Sequence, residues 1–254
     1  MKNCIILGSG RSGTSLAAAM AQRAGYFLGE PLQPPNPGNP LGRFESFEVN
    51  AINEALLART LPRRPKGWIG DLLMRHVPLT GQRWLAALPV GKVIGSTPAL
   101  TARMARLTAQ QPHCFKDPRF SYTLPAWRPA LAEARFVCIF RHPAATAQSI
   151  LREHQQEPGL HSLAMDYPRA LRVWTLMYRH ILERHCHGGE WLFVHYEQIL
   201  TDNGVERLAA FLDAELDRTL INPALRRSQP TGAVPMPAQQ LYRDLCERAD
   251  WMQP

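Results

Sequence analysis

A three-layer α/β sandwich around a central parallel sheet is the fold class that this sequence predicts, and three observations predict it. Short apolar runs alternate with longer stretches of helix formers along the chain. The runs are apolar at consecutive positions, the pattern of strands buried on both faces. Two of them stop at Gly8 and Arg141, where a loop would leave the carboxyl edge of a sheet.

Cys4-Ile5-Ile6-Leu7 is a partly β-branched run that ends at Gly8, and it predicts a buried strand. Residues 14–24 are helix formers, so the chain opens strand, glycine loop, helix. Residues 31–43 are rich in Pro, Gly and Asn and predict irregular chain. Residues 46–58 place Val49, Ile52, Leu56 and Leu57 at helical spacing. Residues 60–70 form a second Pro/Arg/Gly loop. A strand is expected at 92–94, a helix at 99–109 and a strand at 113–116. The helix expected over 121–132 is limited by Pro125 and Pro129. Residues 135–140 (RFVCIF) are the clearest strand, and Pro143 opens the helix after it. A helix over 166–186 carries a core stripe of Leu171, Trp174, Tyr178, Ile181 and Leu182. Residues 191–195 give the last strand and 204–213 the last helix. Residues 222–254 read as an irregular, Pro-rich tail. The whole reads as one domain, 1–254, with 31–90 as an elaboration over the active face.

Of the 254 residues, 45% are apolar and 20% charged, which fits a globular chain and excludes extensive disorder. The net charge of +8 favours an anionic partner such as a nucleotide, an acidic glycan or a membrane surface. Arg63, Arg64 and Lys66 are the densest cationic group. No Lys/Arg run interleaves with aromatics, so nucleic acid is not an expected partner. The five cysteines contain no CxxC pair, which argues against zinc or disulfides and fits a reducing cytoplasm. Cys4 and Cys138 are expected in the core. The histidines lack ligand spacing, so no metal is expected, and His185-Cys186-His187 reads as surface. No signal-peptide pattern opens the chain, and no run of about 20 apolar residues predicts a membrane span.

Two motifs carry chemistry. The first is Gly8-Ser9-Gly10-Arg11-Ser12-Gly13-Thr14-Ser15, between a strand and a helix. Glycines let successive backbone N–H groups turn toward an anion, and the helix N-terminus adds partial positive charge. Ser12, Thr14 and Ser15 supply hydroxyl donors, and Arg11 supplies a charged fork. Gly8, Gly13 and Ser15 fit the nucleoside-triphosphatase loop, but Thr14 replaces its lysine. No strand ends in an aspartate suited to magnesium. The second motif is Arg141-His142-Pro143 with Ser149 eight residues after Arg141, at a strand end and two helical turns beyond it. An arginine and a serine so placed can grip one phosphate.

The Arg11-Ser12-Gly13-Thr14-Ser15 segment resembles the 5′-phosphosulfate loop of sulfotransferases that use 3′-phosphoadenosine 5′-phosphosulfate (PAPS). Arg141 and Ser149 resemble that family's 3′-phosphate site. The resemblance spans roughly residues 3–213 and implies a P-loop NTPase-like sulfotransferase architecture. It implies PAPS as co-substrate, bound by Gly10, Arg11, Ser12, Gly13, Thr14, Ser15, Arg141 and Ser149, with PAP as the desulfated product. Gly29-Glu30-Pro31 resembles a segment whose glutamate acts as base, which makes Glu30 the first candidate and Glu45 the second. Residues 39–45 with Asn53, and Lys116-Asp117-Pro118-Arg119, resemble bacterial members, so Glu45, Lys116 and Asp117 are candidate acceptor contacts. Tyr196-Glu197 is a weaker echo. The chain departs from the family in lacking an Arg-Lys-Gly loop, for which Arg226 and Arg227 are partial substitutes. The implied reaction is metal-free in-line sulfuryl transfer to a hydroxyl or amine, with Arg11 stabilising charge. The acceptor stays open. A P-loop kinase or NTPase using ATP, and a catalytically inactive nucleotide-binding module, are the alternatives.

Overall fold

The apolar runs form the strands that their composition demands. In the computed structural model, which describes residues 1–36, 39, 42–65, 67–221 and 230–252, β1 (Cys4–Leu7), β2 (Cys114–Lys116), β3 (Arg135–Phe140) and β4 (Trp191–His195) form one sheet. All pairings are parallel, in the order β2-β1-β3-β4. Side chains alternate between its faces as the pleat requires. Ile5, Leu7, Phe136, Cys138 and Phe140 enter one core, and Cys4, Ile6, Val137 and Ile139 enter the other.

Helices cover both faces. On the second face lie α1 (Thr14–Arg23) and α8 (Asp202–Leu212), through Ala17, Ala18, Ala21, Leu208 and Leu212. The first face carries α2 (Phe47–Ala58), α4 (Pro98–Thr108), α5 (Phe120–Trp127) and α7 (Tyr167–His180). Their starts follow from capping chemistry. Ser46 accepts from the backbone N–H of Glu48 and Val49, Thr97 from Leu100, and Asp166 from Arg169. Pro98 and Pro143 occupy first turns, and Pro143 opens α6 (Pro143–Gln156). Helix α6 runs through Gln156, and a 3₁₀ turn follows at Pro158–Leu160.

Five expectations are corrected. Residues 92–94 form no strand, and Val93 is exposed. The 60–70 loop ends in a short helix, α3 (Trp68–Leu73). The long helix stops at His180 and continues as a π-helical turn, Ile181–His185. His185 there is buried, with Nε2 3.0 Å from the Ser121 carbonyl, and is not surface. The tail is not wholly irregular. It carries α9 (Met236–Arg248), whose Leu241, Tyr242 and Leu245 join the first core. Arg226 and Arg227 lie outside the described residues.

Candidate active site

The strand order places a crevice beside β1. From β1 the chain crosses to β2 on one side, and β3 lies on the other, so loops leaving β1 and β3 diverge at their carboxyl ends. Gly8–Gly13 leaves β1 there, and Arg141 leaves β3.

The first loop can be built only with glycine at two points. Gly8 has φ +138°, and a Cβ on it would stand 2.1 Å from the Ile139 carbonyl oxygen. Gly13 has φ +94°, and its Cβ would fall 2.3 Å from the Tyr196 ring. Gly13 caps α1 without a side-chain hydrogen bond. Arg11 adopts φ +71° between them. Beneath the loop, the buried Tyr178 hydroxyl accepts from the Ser9 N–H at 3.0 Å. It also lies 3.1 Å from Ser12 Oγ and 2.8 Å from the Ile139 carbonyl.

Gly10, Arg11, Gly13, Thr14 and Ser15 line an open cavity of about 1040 Å³. Ser12 does not line it. Its hydroxyl turns inward to Tyr178 and to Thr146 at 3.4 Å, so its part is to fix the loop from below. Ser15 donates to the Arg43 carbonyl at 3.3 Å. Over the loop lies Trp84, close enough that a Cβ on Gly10 would meet its ring at 2.6 Å.

Arg141 and Ser149 line the same cavity. The Arg141 guanidinium stacks 4.6 Å above the Tyr196 ring centroid. Ser149 Oγ accepts from Arg11 Nε at 3.2 Å, which joins the two motifs across 138 residues. One turn further along α6 is Glu153, buried and absent from the sequence candidates. Its Oε2 lies 3.4 Å from Arg11, and its Oε1 lies 3.5 Å from Arg43 and accepts from Asn36 at 3.3 Å. The i, i+4 spacing from Ser149 was the signal that could have found it.

The opposite wall is ionic. Lys116 Nζ, at the end of β2, lies 2.6 Å from Glu45 Oε1, and Asn50 donates to Oε2 at 3.2 Å. Asp117 sits behind them, fully buried. It accepts from Asn50 at 2.7 Å, Asn53 at 2.9 Å and the Arg119 guanidinium at 3.1 Å. Arg119 also meets Glu54 at 2.8 Å, and Glu54 meets Arg83 at 2.6 Å. Burial alone would raise the Glu45 carboxyl, but Lys116, Arg119 and Arg43 outweigh it and hold it below the ordinary carboxylate range. Asp117 goes the other way: burial raises it, Arg119 opposes, and Glu45 raises it further. Lys116 and Asp117 are both buried and pair with different partners.

Glu30 is not brought to this site. Its side chain is exposed, its peptide bond to Pro31 is cis, and it is not among the residues lining the cavity. A sequence resemblance fixed its neighbours in the chain but not its direction. Glu45 does line the cavity, and the 31–90 segment also supplies Glu54, Arg83 and Trp84. Among the described lining residues, eight cationic side chains face three carboxylates, so the cavity suits an anion.

Solved structures share this arrangement of the chain. The sulfotransferase domain of the Synechococcus PCC 7002 olefin synthase superposes with a TM-score of 0.58 at 19% identity, covering 100% of this chain and 98% of that one. The sulfotransferase domain from the curacin biosynthetic pathway gives 0.53 at 16%, covering 100% and 99%. Sulfotransferase STF9 from Mycobacterium avium gives 0.55 at 14%, covering 99% and 77%. At these identities the likeness is one of fold. No curated protein sequence is significantly similar to the chain. The sequence profile of the sulfotransferase family matches residues 4–218, a span holding both loops and all four strands. By that match, over most of its length, the chain belongs to the sulfotransferase family.

Proposed function

We propose that this protein moves a sulfuryl group from PAPS to a hydroxyl or amine of an acceptor seated in the cavity. The observation that carries the reading is the Arg11–Ser149 contact, which brings the phosphosulfate-type loop and the Arg141 motif to one anion-suited cavity. The fit is chemical as well as spatial. Gly10 and Gly13 bring loop backbone to the cavity wall, and cations line the adjoining surface.

In this reading Gly10, Gly13, Thr14 and Ser15 hold the 5′-phosphosulfate through backbone and hydroxyl donors, while Arg141 and Ser149 hold the 3′-phosphate. The acceptor oxygen or nitrogen bonds to sulfur as the bond from sulfur to the bridging oxygen breaks. PAP leaves with the charge of that oxygen, which Arg11 and the loop amides stabilise. Glu45 takes the acceptor's proton, and Lys116 keeps it ionised and aimed. Such a base contributes about 10²–10⁴-fold. Lys116 positions Glu45 rather than touching the acceptor, and Asp117 acts through Asn50 and Arg119. These last assignments rest on the hydrogen bonds given above.

Calorimetric titration with PAP, against ADP as control, tests the reading. PAP should bind about tenfold tighter or better, since a charge-assisted phosphate contact is worth about 1.5–3 kcal/mol, and Arg141→Ala should erase the difference. ADP binding equal to or tighter than PAP binding would favour an ATP-using enzyme instead.

A further inference from the structure

Of the densest cationic group of the sequence, the described Arg63 and Arg64 are not among the residues lining the cavity. Arg64 is buried, and its guanidinium reaches the carbonyls of Val77 and Ser162 and the carboxylate of Asp71. Gly70 turns inward too, and a Cβ there would strike the Pro65 carbonyl oxygen at 1.9 Å. These contacts pin α3 from below. Its other face carries Trp68, Ile69, Leu72 and Leu73, spaced i, i+1, i+4 and i+5, so they share one side of the helix. Their exposures are 74%, 48%, 70% and 68%. Four large apolar side chains held outward by a polar anchor are not scattered surface residues.

Along the chain, the charge around α3 is mostly of one sign. Between residues 59 and 76 the sequence has Arg59, Arg63, Arg64, Lys66 and Arg75 against the single carboxylate Asp71, which Arg64 already neutralises. Arg59, Arg63 and Arg75 are exposed. An isologous dimer through this face would set these cations against their own copies, which opposes self-association. The apolar side chains stand out from the surface rather than lining a groove, so they suit a soft apolar phase better than a shaped protein partner. An indole beside leucines and cations is the composition of a segment lying in a bilayer interface. Among the described residues no helix is long and apolar enough to cross a membrane, so the contact is peripheral.

We propose that α3 and its flanking arginines dock the protein onto an anionic lipid surface, with Trp68, Ile69, Leu72 and Leu73 entering the interface and Arg59, Arg63 and Arg75 meeting headgroup phosphates. The proposal stands apart from the sulfuryl-transfer reading. The test is co-sedimentation of the full chain with vesicles of phosphatidylcholine containing phosphatidylglycerol, against phosphatidylcholine alone. Binding is expected to the anionic vesicles, weaker to the neutral ones, and reduced by salt. The triple substitution Trp68→Ser, Leu72→Ser, Leu73→Ser should cut binding about tenfold or more. All three residues are exposed, so the variant should keep the parent's circular dichroism and melting temperature. Absence of binding to the anionic vesicles overturns the proposal, as does equal binding by the triple variant. A dimer in sedimentation equilibrium that the triple variant abolishes, without vesicle binding, would assign the face to a second copy and overturn it too.

Discussion

Where the cavity meets the ends of β1 and β3, a glycine-shaped loop presents backbone and hydroxyl donors beside Arg11 and Arg141, whereas the wall built by β2 and α2 is a network of paired, largely buried ions. The loop wall is shaped by conformation: Gly8 and Gly13 are held at positive φ against Ile139 and Tyr196. The ionic wall is shaped by mutual neutralisation, with Lys116, Arg119 and Arg83 facing Glu45, Asp117 and Glu54. A conformational wall presents donors to whatever anion arrives. A neutralised wall offers directed groups with little net charge, as suits a proton acceptor beside an acceptor substrate. The two should also fail differently.

The largest effect is expected on the ionic wall. Lys116→Met leaves Glu45 buried without its nearest partner and should cost about 3–5 kcal/mol in urea unfolding. Adding Glu45→Gln should return most of that loss, because the orphaned charge is gone. Losses that simply add in the double variant would mean that shape, not charge, holds this wall.

On the loop wall no change of charge can repair a misplaced Cβ. Gly13→Ala drives a methyl into the Tyr196 ring at φ +94° and should cost about 1–3 kcal/mol. Tyr196→Ala in the same chain should recover only the overlap, not the backbone strain. A Gly13→Ala protein that melts like the parent would show that Tyr196 does not fix the loop.

The smallest effect separates the walls by pH. Because the folded Glu45 carboxyl titrates below its ordinary value, the unfolded chain binds more protons in that window. Its stabilisation is present above about pH 4.3 and lost as pH falls through the lower folded value. Asp117, raised in the fold, contributes with the opposite sign, its destabilisation easing as pH falls through its raised value. Melting curves from about pH 6 to 3 should therefore fall less steeply for Glu45→Gln than for the parent. Parallel curves would remove Glu45 from the groups that the fold keeps ionised.

Much of this was legible in the chain because it is local. Cys4–Leu7, Arg135–Phe140 and Trp191–His195 are strands with the bounds that their apolar runs give. The loop from Gly8 to Ser15 is likewise written in adjacent residues. What escaped depends on long-range packing. Trp84 reaches Gly10 from 74 residues away, and nothing near it in sequence says so. Glu30 and Glu45 both sit near suggestive neighbours, yet only the contact with Lys116 turns one of them inward. Helix α9 was hidden by the prolines before it, although Leu241, Tyr242, Leu245 and Cys246 have helical spacing. Its Tyr242 hydroxyl lies 3.1 Å from His195, so the chain beyond residue 218 helps to seat β4.

The indole of Trp84 against Gly10 has a practical consequence. Ring and loop are in contact, so a charged group entering the loop alters the electric field at an emitting chromophore. Trp127 and Trp174 are wholly buried, and quenchers in water reach them poorly. The half-buried Trp84 is thus a native optical probe of the loop, its signal read as the difference between the parent and Trp84→Phe because Trp68, Trp191 and Trp251 also emit.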